Sequence, residues 1–211
     1  MKNSDIITVI EALKEDLKAG KLPIVSELAE KESTPFQILI STLLSLRTKD
    51  EVTELAASNL FALASTPSEM LKFSEDQISA AIYPVGFYRN KSKTILQVSK
   101  ELVERYRSQV PDSIEELLKF KGVGRKTANL VVTLGYGGEG ICVDTHVHRI
   151  SNRLGYVRTK TPEETEFVLR EKLSRKYWTD YNTIMVAFGR NICRPVSPFC
   201  SQCPVCMLCE K

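Results

Sequence analysis

The stretch Leu117-Leu118-Lys119-Phe120-Lys121-Gly122-Val123-Gly124-Arg125-Lys126-Thr127-Ala128-Asn129-Leu130 decides how the chain is read. It spells helix, tight hairpin, helix. Residues 113–120 open on Ser113, a capping side chain, and carry Glu115 and Glu116 where a helix start favours acids. Gly122 and Gly124 then break the helix and admit backbone conformations that a Cβ hinders. A second helix starts near Arg125, with an apolar face of Ala128, Val131, Val132 and Leu134. Its first amides point outward and carry partial positive charge, so a phosphate fits at the turn and the glycines let it come close. An ordinary turn between helices would need only the glycines. Lys119, Lys121, Arg125 and Lys126 around them point instead to an anion seat.

The totals allow this without demanding it. A chain of 211 residues, 43% hydrophobic, is long enough for one large or two small globular domains. The net charge is only +3, so any nucleic-acid face must come from local clustering. The longest uncharged apolar run, 33–46, is too short to span a bilayer. The first residues, with Asp5, Glu11 and Glu15, do not read as a signal or transit peptide. The expectation is a cytoplasmic protein with no membrane partner, nucleoid-associated if the source is prokaryotic.

Helical periodicity dominates, and no alternating strand pattern is found. Amphipathic helices are expected at 6–17, 49–63, 74–82, 90–106, 144–154, 161–175 and 180–191. The helix over 90–106 has a basic start at Lys91 and Lys93. A strongly apolar helix, started by Pro35, runs over 36–46. Pro23 separates the first helix from the rest, and residues 83–88 read as a loop. The glycine-rich segment 137–140 marks the best domain boundary, with the first helix packing on the later part of the chain.

Three groups of residues can carry chemistry. Lys126 sits in the first turn of a helix, where the dipole, the neighbouring Arg125 and partial burial all favour a neutral amine, the nucleophilic form. A free lysine, with a pKa of about 10.4, is otherwise almost wholly protonated. Asp144, in Val143-Asp144-Thr145-His146-Val147-His148-Arg149, is placed to cap a helix. A carboxylate so held stays ionised, can take a proton and can steady positive charge. A metal held by Asp144, His146 and His148 is disfavoured, since His146 leaves the helix face that the other two share. The third group is the tail, Cys193-x6-Cys200-x2-Cys203-x2-Cys206-x2-Cys209. Such clustered cysteines in an intracellular chain argue for metal rather than disulfides, and the spacing alone admits either zinc or an iron–sulfur cluster. Cys142 reads as a small core residue.

Gly122-Val123-Gly124-Arg125-Lys126-Thr127-Ala128-Asn129 resembles the helix-hairpin-helix motif of the endonuclease III family of DNA glycosylases, and Val143-Asp144-Thr145-His146 resembles that family's Val-Asp-Thr-His segment. The likeness runs from about residue 35 to 209. It implies an all-α fold of two helical domains: a six-helix domain over 28–138 carrying the hairpin, and an iron–sulfur cluster domain formed by 1–27 and 139–211, with DNA in the cleft between them. It implies that Lys126 is the catalytic amine and Asp144 the second catalytic residue. It also implies a [4Fe-4S] cluster, because the family's six, two and five intervening residues fit Cys193, Cys200, Cys203 and Cys209 and leave Cys206 over.

The resemblance further implies double-stranded DNA as partner, met by Arg47, Phe87, Lys121, Gly122, Gly124, Arg125, His146, Arg149, Arg190 and Arg194. An enzyme working at C1′ must turn the nucleotide out of the stack. Arg47 can stack and Phe87 can wedge where the best-known bacterial members carry Gln and Leu; Lys121 replaces the usual Pro before Gly-x-Gly. The expected activity is excision of oxidised pyrimidines with abasic-site lyase action in base excision repair, by a monomer. The alternatives are a mismatch glycosylase acting on thymine or uracil opposite guanine, which usually lacks the lysine, and a non-catalytic DNA-binding module with structural zinc.

Overall fold

The computed structural model describes residues 1–17 and 33–210. The break expected at Pro23 and a boundary at residue 28 lie outside them. The described residues are all-α: every regular element is helical and no strand occurs among them. The chain divides into two compact units, Met1–Pro23 with Glu139–Lys211, and Ile24–Gly138.

The Ile24–Gly138 unit is built around one apolar helix. Helix α1 (Asn3–Leu17) belongs to the other unit, so this helix is α2 (Pro35–Ser45). Thr34 and Gln37 close its start reciprocally, Thr34 N–H donating to Gln37 Oε1 at 2.9 Å and Gln37 N–H to Thr34 Oγ1 at 3.3 Å. Its Phe36, Ile38, Leu39, Ile40, Leu43 and Leu44 are all buried. Helices α3 (Asp50–Leu63), α4 (Pro67–Met70), α5 (Glu75–Ile82), α6 (Tyr88–Tyr106), α7 (Ile114–Leu117) and α8 (Arg125–Leu130) follow. α2 packs on α3, α6 and α8, while α4 and α5 pack on α6.

Two elements depart from the pattern read in the sequence. The first hairpin helix, expected over 113–120, is the single turn α7. Ser113 caps it by accepting from Glu116 N–H at 3.2 Å, and the chain then tightens through Phe120. The second helix is α only to Leu130 and widens to a π turn over Val131–Gly135. At the join, side chains compete for backbone carbonyls. Asn129 Nδ2 donates to Arg125 O at 3.0 Å, and Thr133 Oγ1 donates to Asn129 O at 2.8 Å and Leu130 O at 3.3 Å.

In the other unit, α9 (Thr145–Arg153), α10 (Pro162–Lys172) and α11 (Trp178–Asn191) join α1. Ile6, Val9, Ile10 and Leu13 of α1 share a core with Val147, Ile150 and Leu154 of α9 and with Tyr181, Ile184, Met185 and Phe188 of α11. The Ser151 and Tyr181 hydroxyls meet at 3.0 Å inside it, and Lys14 pairs with Asp180 at 2.8 Å on its edge. Cys142 is a buried core residue, as its apolar context suggests.

Candidate functional site

The hairpin places its glycines differently from each other. Gly122 has φ 88°, a left-handed conformation that favours glycine, and a Cβ there would lie 2.8 Å from Thr94 Cγ2. Gly124 has φ −97° and nothing within 4 Å of a Cβ position, so its backbone does not demand glycine and open space lies beside it. Both glycines are exposed, and so is Lys121. Val123 N–H donates to Phe120 O at 3.1 Å, and the buried Phe120 and Val123 anchor the turn to the unit's core. Arg125 and Lys126 follow in the first turn of α8, both half-buried. Lys119, read as a fourth cation of the seat, is instead engaged by Glu116, whose carboxylate is held low by that ammonium and by the Tyr106 hydroxyl.

Elsewhere in the same unit, Arg47 and Phe87 form one feature. Both are exposed, both have left-handed backbones (φ 53° and 59°), and the guanidinium carbon lies 5.7 Å from the ring centroid. Phe87, 60% exposed, is not a core aromatic. Its loop and that of Arg47 are in contact, since a Cβ on Gly86 would lie 2.5 Å from Arg47 O. Lys91, a basic residue at a helix start by sequence, is buried beneath them. Its Nζ donates to Leu44 O at 2.7 Å, Leu46 O at 2.6 Å and Thr48 Oγ1 at 3.1 Å, and burial pushes the amine down to about 8. The signal was present: Lys91 stands in register with Ile95, Val98 and Leu102 on the buried face of α6.

In the Glu139–Lys211 part of the chain, Asp144 caps α9. Its Oδ1 accepts from His146 N–H at 2.8 Å and Val147 N–H at 2.9 Å, which fixes the carboxylate at a helix start. His146 and His148 do not share a site. His148 Nδ1 meets Thr165 Oγ1 at 2.7 Å, while His146 Nδ1 lies 3.2 Å from Arg149 Nη2.

Arg149, expected among the DNA contacts, engages backbone carbonyls of its own chain. Its Nη2 donates to Cys193 O at 2.8 Å and Gly189 O at 3.3 Å, and its Nε is buried with no partner. Burial lowers the guanidinium's pKa from its usual value. Arg153 does parallel work, donating to Arg194 O at 2.6 Å, Pro195 O at 2.8 Å and Cys193 Sγ at 3.5 Å. Two arginines of α9 thus hold the start of the segment after α11 through its carbonyls. Arg190 and Arg194 are exposed, and Arg194 lies over the Phe199 ring at 4.4 Å.

The loop leads to the cysteines, none of which is in a disulfide. Cys193, Cys200, Cys203, Cys206 and Cys209 line one cavity of about 80 Å³, walled by Ile150, Leu154, Phe188, Ile192 and Val205. Burial raises the Cys203 thiol, and the other thiols beside it add to that. Among the described residues no three His, Cys, Asp or Glu side chains converge closely enough to ligate one metal ion. Five cysteines around one cavity are a donor set that suits zinc or an iron–sulfur cluster.

Known proteins share this architecture. The HhH-GPD superfamily of base excision DNA repair proteins matches residues 40–175. Endonuclease III of Thermotoga maritima is 51% identical over 180 residues, 85% of this chain and 84% of that protein. Endonuclease III of Bacillus subtilis is 37% identical over 85% of this chain and 82% of that protein. Mouse endonuclease III-like protein 1 is 46% identical over 80% of this chain, which spans 57% of that longer protein. Among solved structures, an endonuclease III trapped as a covalent intermediate with DNA superposes with a TM-score of 0.89 at 31% identity, over 100% of this chain and 96% of that one. With the hairpin, the capped Asp144 and the cysteine-lined cavity all present, the chain belongs to the endonuclease III family, DNA glycosylases with abasic-site lyase activity that act in base excision repair.

Proposed function

We propose that this chain excises oxidised pyrimidines from double-stranded DNA and then nicks the strand, with Lys126 as nucleophile and Asp144 as its carboxylate partner. The observation that carries the reading is Lys126 itself: a half-buried amine in the first turn of α8, directly after the Gly122 turn, in a chain 51% identical to an endonuclease III.

The chemistry follows from the groups available. The neutral amine of Lys126 attacks C1′ of the sugar, and the C1′–N bond breaks with its electron pair leaving on the base, which takes up a proton. Opening of the sugar ring gives a protonated Schiff base between Nζ and C1′. Loss of a proton from C2′ then expels the 3′ phosphate, cutting the strand 3′ to the lesion, and water releases the lysine. Asp144, its carboxylate held by two amides, is suited to accept the proton that the amine loses and to balance positive charge at the sugar.

Lys121, Gly122, Gly124 and Arg125 would hold a backbone phosphate at the hairpin, where the open space beside Gly124 leaves room for it. Arg47 and Phe87 would enter the gap left by the extruded nucleotide. Arg190 and Arg194 would add backbone contacts, and His146 would sit beside the reacting strand. Arg149, given its carbonyl partners, would support the cysteine loop rather than touch phosphate.

Cys193, Cys200, Cys203 and Cys209 would hold a [4Fe-4S] cluster. Bound there, it would supply a fixed cross-link that folds a segment with little regular structure. No helix among the described residues is long and apolar enough to cross a membrane. The protein would act as a monomer in the compartment that holds the DNA, which in a prokaryotic source is the cytoplasm.

The test is strand cleavage of end-labelled duplexes carrying thymine glycol, a thymine–guanine mismatch or a preformed abasic site. Base release and nicking on thymine glycol, with none on the mismatch, is expected. Release of thymine from the mismatch without nicking would overturn the reading.

A further inference from the structure

The cavity has five cysteines around it, while a four-iron cube offers four places. The segment that carries four of them is a run of four-residue turns, each beginning and ending on a cysteine. Cys203 N–H donates to Cys200 O at 3.2 Å, Cys206 N–H to Cys203 O at 3.3 Å, and Cys209 N–H to Cys206 O at 3.2 Å. Cys200–Gln202 and Cys206–Leu208 are 3-10 turns, a geometry in which residues three apart eclipse. Cys203, extended, separates the two turns, and Cys206, which opens the second, lines the cavity with the other four. Val205, only 2% exposed, plugs into the unit's core and fixes that turn.

We propose that Cys206 is a reserve iron ligand that takes the place of Cys209 at the cluster. The inference rests on the cluster reading given above. Losing Cys209 leaves Cys200, Cys203 and Cys206 on consecutive turns, with Cys193 at the end of the loop that Arg149 and Arg153 hold. On binding iron, Cys206 gives up its thiol proton, and any displaced Cys209 thiolate takes one up. No electron is transferred. Cys206 is exposed, as Cys200 is, yet both line the cavity, whereas Met207 beside it, 96% exposed, does not.

The experiment compares full-length protein, purified without air and reconstituted with iron and sulfide, as wild type, Cys206→Ala, Cys209→Ala and the double variant. Iron and sulfide per chain, the visible absorption of the cluster and the spin-resonance spectrum of its reduced form are read, with helical circular dichroism as the folding control. The wild type and Cys206→Ala should both fill. Cys209→Ala should keep at least half of the wild-type iron with a shifted spin-resonance signal, and the double variant should fall at least tenfold. Cys209→Ala as empty as the double variant would overturn the reserve-ligand inference and leave the cluster intact as a reading. If Cys209→Ala loses its helical signal, Cys209→Val, which fills the space without a donor atom, carries the same comparison against Cys206→Ala/Cys209→Val. A wild type that takes up no iron would overturn the cluster reading itself.

Discussion

Lys91 Nζ lies 2.6 Å from the carbonyl oxygen of Leu46, tying the start of α6 to the end of α2 directly beneath the Arg47–Phe87 pair. Two left-handed residues side by side are costly, and such backbones persist only where their surroundings hold them. Lys91→Met should keep the length of the side chain and lose all three of its hydrogen bonds. The expected cost is roughly 1 to 3 kcal/mol in urea unfolding. Excision of thymine glycol should fall further than binding of undamaged duplex.

The same amine predicts a pH effect. Burial lowers Lys91 to about 8 from an ordinary 10.5, so between these values the unfolded chain carries more protons than the folded one. Stability from this group therefore rises with pH across that window, is fully present above it, and is lost as pH falls through about 8. The stability difference between wild type and Lys91→Met should move in favour of the wild type from pH 7.5 to pH 9.5 (roughly the span of that window). A difference independent of pH would contradict it.

The hairpin glycines should separate stability from binding. Gly122→Ala meets both a left-handed backbone and the Thr94 methyl, and should cost about 1 to 2 kcal/mol. Gly124→Ala meets neither and should cost less, at most about 1 kcal/mol for the poorer N-cap of α8. It should nonetheless weaken duplex binding, because the added methyl occupies the space left for a phosphate. Denaturant midpoints and fluorescence anisotropy on a labelled duplex distinguish the two.

Asp144 has a structural and a chemical task that one substitution can part. Asn caps a helix about as well as Asp, so Asp144→Asn should change stability by less than about 0.5 kcal/mol. Excision should drop on the order of 100-fold or more, since an amide takes no proton. Asp144→Ala should lose the activity and about 1 kcal/mol of cap together. Single-turnover excision and thermal melting on the three proteins check this.

The sequence showed the helices, the hairpin and the Asp144 cap because each rests on local signals: Ser113 before two acids, glycines at a turn, an aspartate before a helix. It missed what depends on neighbours distant in the chain. Lys91 was in helical register with Ile95 and Val98, yet only the open carbonyls of Leu44 and Leu46 make that burial tolerable. Arg149 reads as a surface cation until Gly189 and Cys193 are seen to present carbonyls to it. The π turn after Leu130 depends on which carbonyls Asn129 and Thr133 capture, a competition that spacing does not decide. Spacing alone left five cysteines for four places and the family resemblance left Cys206 over, whereas in the fold all five line one cavity.

The most direct test of the account is borohydride trapping on a thymine glycol duplex with the wild type, Lys126→Ala and Lys121→Ala. Reduction of a Schiff base leaves a stable protein–DNA adduct, and peptide mapping locates the bond. The account predicts an adduct at Lys126 in the wild type, none in Lys126→Ala, and a weaker but present adduct in Lys121→Ala. An adduct of wild-type yield that survives Lys126→Ala, or one that maps to another lysine, would contradict it.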